Sequence, residues 1–300
     1  MRVTNIYFLA TKSCDFIILM SSLLLSLVKN FLIMSIQGVR YQVDPTYGCA
    51  LCIIDDFSLE MEQILRTELT KVCHGHAKAN STRVAYSYKR TLQELIKRYE
   101  NKTEKTKVGM IGELLCHLML FRLNGELSSV SPMFNMEEAS IKKGFDLLVS
   151  HKTNNDLWIT EVKSGALGKV DKDQKIRTLI DKARDDLVER IGAENSTIWH
   201  TAINNVTIAL ENSRPEKAVL VDLLEDFLDE AEDGTNDPSV MSVILVPILF
   251  ESTANEANFE IIKERNKKIL EDKIFSNCII FAIQKSTVTK VEAFLYNEAK

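Results

Sequence analysis

Two short apolar runs set the strongest constraint on this sequence: Gly144 to Ser150 and Asp156 to Lys163, divided by the turn-prone stretch His151-Lys152-Thr153-Asn154-Asn155. Runs of this length on either side of turn formers read as paired antiparallel strands. A hairpin centred between Thr153 and Asn154 sets Asp146 directly across from Glu161. Side chains alternate along a strand, so Lys163 shares the face of Glu161, while Val162 points the other way and leaves its carbonyl at the strand end. An isolated Glu-x-Lys on a strand is more often a solvated charge pair. Here Phe145, Leu147, Leu148, Val149, Trp158 and Ile159 surround the acids, which implies a buried hairpin where unpaired carboxylates are costly.

The rest of the chain supplies a sheet and its covering. Before the hairpin, a strand reads over Tyr47 to Ile54, and helices over Leu59 to Val72, Val84 to Tyr99 and Thr106 to Leu123, the last stopped by Asn124-Gly125. A further strand, Leu127 to Met133, precedes the pair. After it come helices near 172–191, 196–211 and 217–231, a very apolar strand from Met241 to Phe250, a helix near 255–272, a strand from Asn277 to Gln284 and a short final helix. This order predicts an α/β fold, a mixed central sheet flanked by helices. No linker rich in Pro, Gly or Ser divides it, and the expected organisation is an N-terminal α/β part over 34–105 followed by a core over 106–300. Residues 1–33 stand apart. Their apolar run Phe16 to Val28 can be a signal or anchor, a docked amphipathic helix, or translation from upstream of a true start at Met34.

Charge narrows the partners. Lys+Arg number 37 against 42 Asp+Glu, a net charge of −5, so nucleic acid binds only through a local basic patch. Two such patches exist: eight basic against three acidic residues over Arg83 to Lys107, and seven against three over Lys163 to Arg184. Lys169, Lys172, Lys175 and Arg177 are the expected phosphate contacts, the alternative being solvated helix faces. Between Glu211 and Asp237 ten acids face two bases, a stretch expected to turn away from DNA and towards a protein. Six cysteines without regular spacing point to a reducing, cytosolic setting; no membrane is expected among the partners. Cys49 and Cys52 with Cys73, His74 and His76 can be read as zinc ligands, but Ala50-Leu51 and Ile53-Ile54 make the first pair look like strand core. There is no Gly-rich phosphate loop for ATP.

Two carboxylates, Asp146 and Glu161, with the Val162 carbonyl form a hard-oxygen donor set suited to Mg²⁺ or Mn²⁺, and Lys163 places positive charge where phosphate charge develops. An acid on one strand and (D/E)-x-K on the next resembles the PD-(D/E)XK nuclease superfamily. Phe145 stands where the name-giving proline would be, a replacement frequent in that superfamily. Its members often carry a glutamate on the preceding helix, and Gly112-Glu113 matches that position, so the resemblance makes Glu113 a third metal-binding or orienting carboxylate. His117, four residues on, is either its helper or a core-edge histidine. More narrowly, Gly112-Glu113, Val130-Ser131-Pro132-Met133-Phe134, Lys143-Gly144-Phe145-Asp146, Glu161-Val162-Lys163-Ser164-Gly165 and Ala183-Arg184-Asp185-Asp186-Leu187 are similar to the nuclease subunit of the bacterial Hachiman anti-phage system. The resemblance implies a restriction-endonuclease-like core and a metal-dependent DNA-cleaving effector that acts with a partner helicase. The contrasting expectation is a catalytically inactive DNA-binding or helicase-tethering subunit.

Overall fold

The computed structural model describes residues 35–123, 127–134, 144–152, 155–192 and 196–300. The apolar N-terminal run, the Asn124-Gly125 stop, Lys143 and the Thr153-Asn154 hairpin centre lie outside the described residues. Seven strands form one mixed sheet: β1 (Val39–Asp44), β2 (Cys49–Ile54), β3 (Leu127–Ser129), β4 (Leu147–His151), β5 (Leu157–Ala166), β6 (Ser242–Phe250) and β7 (Asn277–Lys285). Their spatial order is β1-β2-β7-β6-β5-β4-β3. The central strands β2, β7, β6 and β5 run parallel to one another, and β1 on one side and β4 and β3 on the other add antiparallel. β1 and β2, from the N-terminal part, thus enter the same sheet as the core strands through β7.

Helices cover both faces. α1 (Leu59–His74), α2 (Tyr88–Glu100), α3 (Glu104–Leu123) and α8 (Thr289–Ala299) bury Leu65, Leu92, Leu115 and Val291 in one apolar layer. On the other face α4 (Lys172–Gly192), α5 (Ser196–Ala209), α6 (Pro215–Glu232) and α7 (Phe259–Glu271) bury Ile180, Trp199, Leu224 and Ile262. The α/β sandwich expected from the sequence is the architecture observed. Among the described residues no helix is long and apolar enough to cross a membrane.

Local chemistry fixes the boundaries. The region read as one helix from Val84 breaks at Ser87, whose hydroxyl accepts the Arg90 N–H at 3.4 Å and starts α2. β3 is shorter than the expected Leu127 to Met133, because beyond Val130 the Ser131 hydroxyl, not the backbone, accepts the Leu148 N–H at 2.9 Å. Met133 and Phe134 then donate to Val72 and Cys73 at 2.8 and 3.1 Å, which satisfies carbonyls at the end of α1. At the hairpin, His151 N–H donates to Asp156 and Asn155 N–H to His151, with Asn155 in the left-handed region (φ 60°) that asparagine tolerates.

Candidate functional site

The hairpin register is the expected one, Leu147 paired with Thr160 and Leu148 with Ile159. β4 begins at Leu147 but β5 continues to Ala166, so past Thr160 no strand among the described residues pairs with the β4 side of β5. Asp146 enters this gap. Its Oδ2 accepts the Val162 N–H at 2.8 Å, and because the N–H and C=O of one strand residue point to the same side, the Val162 carbonyl faces the same gap. The segment before Asp146 is anchored twice. Phe145, buried where the resemblance expects proline, meets the Trp199 ring edge-on at 5.1 Å, and the Gly144 carbonyl accepts from Arg190 at 2.9 Å.

Glu161 is fully buried. Lys163 hydrogen-bonds one of its oxygens and reaches Asp186 at 2.8 Å, while Arg190 Nη1 holds the other oxygen at 3.1 Å. Burial first, then the nearby Asp146 charge, push the Glu161 carboxyl up to about 7 against the pull of Lys163 and Arg190. Burial alone would pull the Lys163 ammonium down, but Glu161 and Asp186 carry it above the usual lysine value, so it stays charged. Asp186 and Arg190 lie one turn apart on α4. Sequence reasoning assigned them no role at the site; their signal was the four-residue spacing on a flank of an amphipathic helix.

Glu113 arrives from the other face of the sheet, on α3. It is buried, at 7% exposure, and its helix lies close to β5, since a Cβ at Gly112 would meet Ser164 Oγ at 1.9 Å and Ser164 Cβ at 3.0 Å. Asp146, Glu161, the Val162 backbone and Lys163 therefore come together, with Glu113 approaching beside Ser164. Among the described residues no three His, Cys, Asp or Glu side chains are gathered as a ready group for a metal. His117 is buried one turn beyond Glu113 and lines a cavity with Lys71, His76 and Lys152.

The basic residues divide. Lys175 lies over the end of β5, where the absence of a side chain at Gly165 admits it: a Cβ there would meet Lys175 Nζ at 3.0 Å. At about 100° per residue Lys172 and Lys175 share the α4 flank of Asp186 and Arg190, whereas Arg177 falls on the opposite flank with Asp181 and Arg184. Lys169 is exposed in the turn before α4. The cysteines at 49 and 52 are buried and free on opposite faces of β2, an odd spacing in a strand that prevents joint ligation.

The family profile of HamA matches residues 33–299, nearly the whole chain. The chain belongs to the HamA family. Membership gives it a role in Hachiman anti-phage defence, the system its motifs resemble, and with that role partner proteins. No curated protein matches the chain. Chemically, Asp146, Glu161 and the Val162 carbonyl are hard oxygen donors on one side of one strand end. The repulsion between the two carboxylates is what a divalent cation would relieve, so the donor set fits Mg²⁺ or Mn²⁺.

Proposed function

We propose that the chain is the metal-dependent DNA nuclease effector of its Hachiman system, acting with a partner helicase. One observation carries this reading: a buried glutamate, a half-buried aspartate and a charged lysine border the stretch of β5 past Thr160 that no described strand pairs on the Asp146 side. The order α3, β3, β4, β5, α4 supports it further, being the helix, three strands and helix of the PD-(D/E)XK core. Asp146, Glu161 and the Val162 carbonyl would hold Mg²⁺ or Mn²⁺, with Glu113 orienting the bound waters from α3. The cation would supply Lewis acidity and a more acidic water. Lys163 keeps its charge beside the acids and stabilises the negative charge that grows on a phosphate during attack. Lys169, Lys172 and Lys175 lead the DNA backbone towards it, with Arg177 on the further flank.

A second reading, an inactive DNA-binding or helicase-tethering subunit, is favoured by one fact: both Glu161 oxygens are already held by cations of the chain itself. Incubating the full chain with supercoiled plasmid, with Mg²⁺ or with EDTA, alone and with its partner, separates the two. Mg²⁺-dependent nicking or linearisation supports the nuclease. Intact plasmid throughout, with DNA still bound, assigns the tethering role.

A further inference from the structure

The acidic stretch Glu211 to Asp237 is organised around a groove. On α6, Val219, Leu223 and Phe227 form one stripe and Asp222 and Asp226 the stripe beside it, each at four-residue spacing. These two stripes wall a cavity of about 460 Å³ whose floor is Leu157 and Ile159 at the start of β5 and Met241 before β6. Two of its lining residues leave apolar surface open to solvent: Val219 is 52% exposed and Val240, at the opposite lip, 60%.

We infer that this groove docks a segment of a protein partner in which apolar side chains alternate with Lys or Arg. The acids select the sign of the occupant. DNA is repelled by a stretch with ten acids and two bases, whereas a basic segment is drawn to it and its apolar side chains find the Val219, Leu223 and Phe227 surface. A small cation would use neither exposed valine nor the length of the charged stretch, so the fit is to a polypeptide. The groove lies at the start of β5, roughly 30 Å from Ala166 at the strand's other end, so an occupied groove leaves Lys169, Lys172 and Lys175 open. The inference rests on the partner clause of the proposed function and extends it by naming the surface and its chemistry.

The test uses the full chain and fluorescent peptides, without metal or DNA, so its outcome is independent of whether the β4–β5 site cuts. A short peptide with leucines at three- and four-residue spacing and lysines between them should bind. The same peptide with serines for leucines, or glutamates for lysines, should bind about tenfold or more weakly. The double reversal Asp222→Lys/Asp226→Lys, on exposed positions that do not enter the core, and separately Val219→Ser, should each weaken the Leu/Lys peptide while melting temperature is kept. Equal binding of the serine peptide reduces the effect to bulk charge and overturns the inference, as does full binding by the double reversal. Self-association of the chain abolished by the same reversal would assign the groove to a second copy and equally overturn it.

Discussion

Two glycines three residues apart on α3 face opposite fates. At Gly109 an added Cβ meets nothing within 4 Å; at Gly112 it meets Ser164 Oγ at 1.9 Å, Ser164 Cβ at 3.0 Å and Ile248 Cδ1 at 3.3 Å. Alanine in a helix interior is worth about 1 kcal/mol over glycine. Gly109→Ala should therefore stabilise by about that amount, raising the melting temperature by roughly 2–4 °C in a protein of this size. Gly112→Ala collects the same helix gain but overpacks the α3–β5 contact at a cost of about 1–3 kcal/mol. It should melt below Gly109→Ala by roughly 2–12 °C and, by shifting α3 against β5, move Glu113 relative to Lys163. Ser164→Gly removes the two closest atoms, so the double variant Gly112→Ala/Ser164→Gly should regain most of the loss. The expected coupling in a double-mutant cycle is about 0.5–3 kcal/mol. Thermal melts of the five proteins, wild type included, decide it. Equal melting of Gly109→Ala and Gly112→Ala, or strict additivity in the cycle, would refute the close approach of helix and strand.

Three further outcomes are expected. Reversing Lys172 and Lys175 to Glu should weaken DNA binding and lower the slope of log affinity against log salt by about 0.9 per lost phosphate contact; an unchanged slope makes these lysines a solvated face. Arg190→Gln removes a cation 3.1 Å from Glu161 and should cost about 1–2 kcal/mol of stability without metal. The same change should tighten Mn²⁺ binding, followed as the Mn²⁺ concentration that half-saturates the thermal shift, and weaker binding would mean that Arg190 positions Glu161 rather than competing with the cation. His74 lies between the Tyr86 and Phe134 rings, and burial first, then Arg98, lower its pKa from 6.5 to about 4. Its folded form resists protonation, so stability should hold above pH 6.5 and fall as pH drops from 6.5 towards 4, by up to about 3 kcal/mol. His74→Leu should flatten that part of the profile in denaturant melts, and an unchanged profile would contradict the assignment.

The hairpin register was legible because its two determinants, turn residues and alternation of side chains, are local. Even the central strand β6 was legible despite Pro247, since eight consecutive buried residues outweigh one missing N–H; the β6–β7 ladder skips Val246 and Pro247 and resumes at Ile248. β1 was not. It is an edge strand with no buried residue, so Val39 to Asp44 carries too weak an apolar signal. Nearness in sequence groups Arg177 with Lys172 and Lys175, but helical rotation sends it to the other flank. Asp186 and Arg190 escaped for a different reason: which flank of α4 meets β5 is decided by packing of Ile176, Ile180, Ala183 and Leu187 against the sheet, not by the charged residues themselves.

The central claim is that the β4–β5 acids and lysine are a reaction centre, and plasmid cleavage by Glu161→Gln and Lys163→Ala tests it most directly. With Mg²⁺ and the partner present, and DNA binding matched to wild type, each should cut about 10² to 10³ times more slowly, the loss of one transition-state contact of roughly 3–4 kcal/mol. Cleavage by both variants at the wild-type rate would contradict the account.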